Sequence, residues 1–288
     1  MIFYFIKVIL NFNMEDKRIL YVSSEVVPYL AENEVSLMSY DVPKMVNDQG
    51  GQIRIFMPRY GNINERRHQL HEVIRLSGMN LVVNDLDMPL IIKVASIPKE
   101  RIQVYFIDND EYFKRKATFT DEEGALFPDN DERLVFFNRG VIETVKKLGW
   151  SPDIIHCQGW FTGLTPLYVK KAFIEDPLFA EAKVIFTIYD EEYTKVLNKK
   201  IIDKAIIDGV TKKDLKHIEE ASYVNLMKLA IDHSDGISFG CEKINEELVK
   251  YAKKSGKPVL EFKGEAEYAD SYNEFYDLVL EDSTVLAD

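Results

Sequence analysis

From Arg18 onward the hydrophobic positions alternate between two rhythms, short β-branched runs and longer amphipathic runs. That alternation is how a parallel sheet covered by helices reads in sequence. Ile19-Leu20-Tyr21-Val22-Ser23 predicts a first strand, the stretch from Leu37 to Asp48 a helix, and Ile53-Arg54-Ile55-Phe56-Met57 a second buried strand closed by Pro58. Between Leu70 and Ile107 three strand-like pieces, 81–83, 91–95 and 104–107, follow one another without a helix. Turn residues separate them, which predicts a β-rich excursion inside the domain.

The helix pattern is clearest where Leu134, Phe137, Val141, Val145 and Leu148 fall three or four apart and stop at Gly149, a natural C-cap. Asp153-Ile154-Ile155-His156-Cys157 predicts the next strand, and a helix from near Thr162 to Phe173 carries Pro166 in its first turns. Lys183 to Ile188 and Gly236 to Phe239 predict two more strands, each followed by helix-favouring sequence. The tail from Gly264 is acidic, with a closing helix expected over Tyr272 to Leu280. No internal repeat interrupts this order, so the pattern predicts one doubly wound, mostly parallel α/β domain over residues 14–262, with 263–288 as an acidic tail.

Composition narrows the function classes. The 288 residues carry a formal net charge of −12, which argues against a surface that neutralises nucleic-acid phosphates. Cys157 and Cys241 lie far apart in no metal-like spacing and read as reduced cytoplasmic thiols. Met1 to Phe12 is mostly apolar but too short to span a bilayer, and Asn13-Met14-Glu15-Asp16 is no cleavage site. Residues 1–13 are therefore read as an over-long start upstream of Met14, and no membrane partner is expected. There is no Walker loop, no Gly-x-Ser-x-Gly elbow and no Gly-x-Gly-x-x-Gly after a strand, and no metal or cofactor is expected.

Three stretches carry a family likeness: residues 19–29 (ILYVSSEVVPY), Met57-Pro58-Arg59-Tyr60-Gly61, and Val104 to Phe113 (VYFIDNDEYF). Asp129 to Phe137 and Gly149 to Cys157 continue in register. Together they resemble the N-terminal Rossmann-like domain of ADP-glucose-type bacterial glycogen and starch synthases, over most of Arg18 to about Lys250. The resemblance implies the GT-B architecture, two Rossmann-like domains facing across a cleft. In those enzymes the first domain holds the growing α-1,4-glucan and the second holds most of the ADP-glucose. No Arg-x-x-x-x-Lys-Gly stretch of the kind that grips donor phosphates in the second domain is found here.

The positions matching the family's site have changed. Where the family reads Lys-Thr-Gly-Gly, this sequence has Ala31, Glu32, Asn33 and Glu34. Glycines let backbone N–H groups approach a phosphate at a helix N-terminus, and a lysine supplies the counter-charge. Two carboxylates now stand there instead. A unit charge about 4 Å from another is worth about 4 kcal/mol at an effective dielectric near 20, so a diphosphate should be disfavoured by several kcal/mol. Glu32 and Glu34 are expected to stabilise the helix N-terminus themselves.

The family's His-x-His-Asp-Trp-His aligns with His156-Cys157-Gln158-Gly159-Trp160-Phe161, keeping the first histidine and the tryptophan. Trp160 could stack on a glucose ring, although a core tryptophan at a strand-to-helix corner is the commoner arrangement. His156 at a strand end is likewise more often a packing residue than a ligand. After the strand Lys183 to Ile188, Tyr189 and Asp190 replace the family's His-Asn, and with Glu191 and Glu192 they are expected to rim the cleft. Solvated loop charge is the commoner state of such residues. Glu25 is retained beside the altered loop.

The resemblance therefore implies a glucosyltransferase-like domain, with Glu25, His156, Gln158, Trp160, Tyr189 and Asp190 as substrate-binding candidates and no catalytic residue assigned. Without donor-site residues or the second domain it is expected to be inactive alone. The alternative is a glucan-binding or regulatory partner of a glycogen-metabolism enzyme. Expected partners are an α-glucan, a separate second-domain protein, or a second copy of the chain.

Overall fold

The computed structural model describes residues 14–193, 195–264 and 268–281. The segment 1–13, expected to be an over-long start, and the end of the acidic tail lie outside them. Strand β1 (Arg18–Ser23) leads through helix α1 (Glu34–Asp48) to β2 (Gln52–Pro58). Then come β3 (His71–Glu72), β4 (Met79–Val83), β5 (Leu86–Ser96), β6 (Gln103–Asp108), the one-turn helix α2 (Asp110–Phe113) and the long α3 (Asn130–Leu148). The second half runs β7 (Ile154–Gln158), a 3-10 turn over Trp160–Thr162, α4 (Thr165–Lys171), β8 (Lys183–Ile188), α5 (Ile201–Ala205) and α6 (Tyr223–Asp232). It ends with β9 (Gly236–Phe239), α7 (Glu246–Lys254), β10 (Val259–Leu260) and α8 (Tyr268–Glu281).

The strands form one sheet in the order β10-β9-β8-β7-β1-β2-β6-β5-β3, with β4 paired to β5. All pairings from β10 to β6 are parallel, while β5 runs antiparallel to β6 and folds back on β4 through Asn84-Asp85. This is the doubly wound, mostly parallel sheet expected from the pattern, and the β-rich excursion is the β3–β5 edge. The central strands are almost continuously buried, as a sheet covered on both faces requires.

The two faces are separated residue by residue. In β7, His156 meets α8, whereas the next residue, Cys157, meets Thr165 of α4 on the opposite side. Helices α3, α4 and α6 pack together over that second face, and α1 and α8 pack together over the first. Helix α3 ends as its sequence indicates, with Gly149 in the left-handed region at φ 62° and its N–H donated to the Lys146 carbonyl. Pro166 sits in the first turn of α4, but the chain reaches it through the 3-10 turn rather than one helix starting near Thr162.

Helix α8 is no loose tail, because Tyr272, Asn273, Phe275, Tyr276 and Val279 are all buried in the same core. The face it covers is polar for a doubly wound sheet. The Tyr276 hydroxyl lies 2.8 Å from both Tyr21 Oη and His156 Nδ1, His156 Nε2 lies 2.6 Å from Thr187 Oγ1, and Thr187 continues at 2.6 Å to Ser238 Oγ. Gly236 in β9 lets the helix come this close. A Cβ there would meet Val279 Cγ2 at 2.8 Å and Phe275 Cζ at 3.0 Å. Replacing Gly236 by valine should therefore push α8 off the sheet at a cost of about 1–3 kcal/mol, typical of overpacking. Urea unfolding followed by circular dichroism checks this, and an unchanged midpoint would refute the close-packing account.

Candidate functional site

Strand order reverses between β1 and β7, whose crossovers leave in opposite directions, and ligands of open α/β sheets bind outside the carboxyl ends of the strands at such a point. A cavity of about 490 Å³ opens there. Its walls are the loop after β1 with the start of α1 (Glu25, Asn33, Glu34, Val35), Trp160 after β7, residues 189–193 after β8, Lys195, and a loop ahead of α3. That last loop is closed by an antiparallel bridge between Thr120 and Leu126 and brings Phe119 into the cavity.

The start of α1 is built by a capping box. Asn33 Oδ1 accepts from the Ser36 N–H at 2.8 Å, and Ser36 Oγ accepts from the Asn33 N–H at 2.9 Å. The helix thus begins at Glu34 rather than near Leu37. The expectation that Glu32 and Glu34 together occupy the helix terminus holds only for Glu34, which is in the first turn. Ala31 and Glu32 are exposed and face a separate hollow with Pro28 and His68. Asn33 also donates its side-chain amide to Glu25, which holds that half-buried carboxylate against the cavity wall.

Glu191 is the central group. Its Oε2 accepts the Trp160 backbone N–H at 3.1 Å, so an internal carboxylate occupies the anion position of the turn after β7. Gly159, at φ 78°, makes room for it, because a Cβ there would come within 2.7 Å of the same oxygen. Burial pushes the Glu191 pKa up to about 8, with the Trp160 N–H opposing and the charges of Glu25 and Glu34 adding to the rise. Burial raises the Glu25 pKa as well, with the Asn33 hydrogen bond opposing. Around the rim, Asp190 lies 3.5 Å from Lys243 Nζ, and Glu192 accepts from Asn245 Nδ2 at 3.0 Å.

Of the residues singled out in the sequence, Glu25, Asn33, Glu34, Trp160, Tyr189 and Asp190 line the cavity. Two of the substrate-binding candidates do not. His156 is wholly buried between Tyr276 and Thr187, and burial takes its pKa down to about 3, so it is a neutral packing residue under α8. Gln158 is also wholly buried and accepts the Tyr189 hydroxyl. Trp160 is only 3% exposed, with its ring at the centre of an aromatic group made by Phe119, Phe161 and Tyr193 at centroid distances of 4.8 to 5.2 Å. Its indole is a wall of the site and offers little open face. The open aromatic surface belongs to Phe119 and Tyr193, which sequence patterning could not single out, because the loops carrying them have no periodicity. Among the described residues no group of three or more His, Cys, Asp or Glu is arranged to hold a metal ion, and no helix is long and apolar enough to cross a membrane.

Residues 18–260 match the family model described as the starch synthase catalytic domain. The chain belongs to that family. It is similar to the glycogen synthase of Chlorobium limicola, 34% identical over 233 residues that make up 81% of this chain and 47% of that protein. It is also similar to the glycogen synthase of Chlorobium chlorochromatii, 38% identical over 223 residues, 76% of this chain and 44% of that one. The catalytic domain of starch synthase IV from Arabidopsis thaliana, solved bound to ADP and acarbose, superposes with a TM-score of 0.69 at 17% identity, over 86% of this chain and 51% of that chain. The fold is therefore one Rossmann-like domain of the GT-B type, and the chain spans about half the length of the curated relatives it matches.

A group whose folded pKa lies above its unfolded value binds more protons in the native state between the two values. Stability then falls as pH rises through that window. For Glu191 the window runs from 4.5 to about 8. Glu191→Gln keeps an acceptor for the Trp160 N–H and removes the titration. Its stability should decline less than that of the wild-type chain between pH 5 and pH 8, as read from urea midpoints. Parallel pH profiles for the two proteins would contradict the buried-carboxylate reading.

Proposed function

We propose that this starch synthase-type domain holds a neutral α-glucan in the cleft at the strand-order reversal and does not transfer glucose by itself. The observation that carries the reading is the acidity of the cleft, where the carboxylates of Glu25, Glu34, Asp190 and Glu192 and the largely protonated Glu191 line the cavity, with Lys195 the one ammonium among the described lining residues. A sugar nucleotide brings two negative charges to its diphosphate, and each carboxylate about 4 Å away would cost it about 4 kcal/mol at an effective dielectric near 20. An uncharged oligosaccharide incurs no such cost. Its hydroxyls donate to carboxylates, and its ring faces pack on aromatic side chains such as Phe119 and Tyr193.

The altered loop supports the same reading. Ala31 supplies no charge where the family has lysine, and the acceptor that Glu191 provides already occupies the backbone N–H at Trp160. In the synthases this chain resembles, the first domain is the glucan-holding one, so glucan binding keeps the half of the family's chemistry that belongs to this domain. A cytoplasmic setting accords with two free, buried cysteines. The partners proposed with it are an α-glucan and a glycogen-metabolism enzyme.

Isothermal titration with a maltooligosaccharide of six or seven units should give saturable binding, and ADP-glucose under the same conditions should give none. Phe119→Ala should weaken the oligosaccharide about tenfold, since one aromatic contact is worth roughly 0.5–1.5 kcal/mol beyond its area. Release of ADP from ADP-glucose and glycogen above a no-protein blank, or tight ADP-glucose binding, would overturn the proposal.

A further inference from the structure

Outside the cleft, two adjoining hollows of about 390 and 520 Å³ share Arg67 and His68. Neither has a lining residue in common with the acidic cavity. The smaller is basic, lined by Arg67, Lys99 and Arg101 around His68. The larger is polar and nearly neutral, with Asn62, Asn64 and Glu32 on its walls.

The chain's net charge of −12 means that carboxylates outnumber the cations available to pair with them. Among the described residues Arg67, Lys99 and Arg101 nevertheless form no ion pair, and the three stand together around one hollow. The acids nearest in sequence are committed elsewhere, Glu65 to Lys93 at 2.7 Å and Arg59 at 3.5 Å, and Glu100 to Lys44 at 3.6 Å. The His68 pKa is lowered, first by burial and then by the Arg67 charge, with no carboxylate opposing the shift. Three residues at the same spot also adopt the left-handed backbone that side chains avoid: Gln69 at φ 54°, Lys99 at φ 74° and Arg101 at φ 59°. Such conformations cost about 1 kcal/mol or more each, and they fix where the Lys99 and Arg101 stems leave the turn between β5 and β6.

The geometry points to a binding site for a sugar phosphate, with the phosphate held by Arg67, Lys99 and Arg101 and the hydroxyl-bearing ring lying over Asn62, Asn64 and Glu32. Guanidinium groups match phosphate oxygens in paired hydrogen bonds, and amide and carboxylate side chains complement hydroxyls. Hollows of this combined size suit a phosphorylated monosaccharide rather than a polymer. A bare anion would use only the first, and a neutral sugar only the second. The site stands or falls independently of glucan binding in the cleft.

The test is isothermal titration of the full chain at low ionic strength with a hexose 6-phosphate, inorganic phosphate and the free hexose. Saturable binding is expected for the hexose phosphate, at least tenfold weaker binding for inorganic phosphate, and none for the free hexose. The double variant Arg67→Gln, Arg101→Gln should weaken the hexose phosphate at least tenfold while its circular dichroism stays native. Arg75→Gln, which removes a cation that lines neither hollow, should leave it unchanged. Absence of saturation, equal affinity for phosphate and hexose phosphate, or wild-type affinity in the double variant would each overturn the proposal.

Discussion

Parallel strands put all their carboxyl ends on one edge of the sheet, and reversal of the strand order at β1 leaves a gap there that no crossover covers. The loops after β1, β7 and β8 are therefore forced into one place, however far apart they lie in sequence. Glu25, Glu34 and Glu191 meet because of that constraint alone. Register sharpens it further. Tyr21 lies opposite His156 and Thr187 opposite Gln158, so the residues that follow each strand leave the sheet at nearly the same level.

Of the carboxylates around the cavity Glu25 and Glu191 lose hydration, and the structure accommodates this in two ways. Asn33 donates to Glu25, and the Trp160 N–H donates to Glu191. Neither donor carries a full charge, so the pKa values of both acids stay raised. The cleft thus favours hydrogen-bond donors over anions, which is the physical basis of the proposed preference for a hydroxyl-rich ligand over a diphosphate. Helix α8 strengthens the opposite side of the same sheet by satisfying its polar face with Tyr276 and by packing Phe275 and Val279 against Gly236.

The β-rich edge has its own electrostatics. Asp108, almost fully buried, is paired with Arg59 at 2.8 Å and Lys93 at 3.1 Å, which uses up the cations closest to the centre of the domain. The cations of the β5–β6 turn and of the loop before β3 lie beyond that network and keep their charge facing solvent. An acidic protein can therefore carry an acidic cleft and a basic hollow with no shared lining residue on one small domain.

The rhythm of apolar residues determined the sheet. Runs such as Ile19 to Val22 and Ile154 to Cys157 have enough β-branched and apolar residues to be buried on both faces, and Gly149 marks the end of α3 by its lack of a Cβ. The same residues also carried the family likeness and the loss of the cationic loop. What the sequence left open were contacts between segments far apart along the chain. His156 stands where the resemblance implies a ligand, but whether it faces the cleft or α8 depends on side-chain alternation in β7 and on a helix 120 residues later. Trp160 could be a platform or a core residue until Phe119 and Tyr193 closed around its ring. Glu191 had no local mark beyond its place after β8, because its raised pKa comes from burial and from two acids more than 150 positions away. Local propensity is encoded residue by residue, whereas desolvation and charge proximity exist only once the chain has folded.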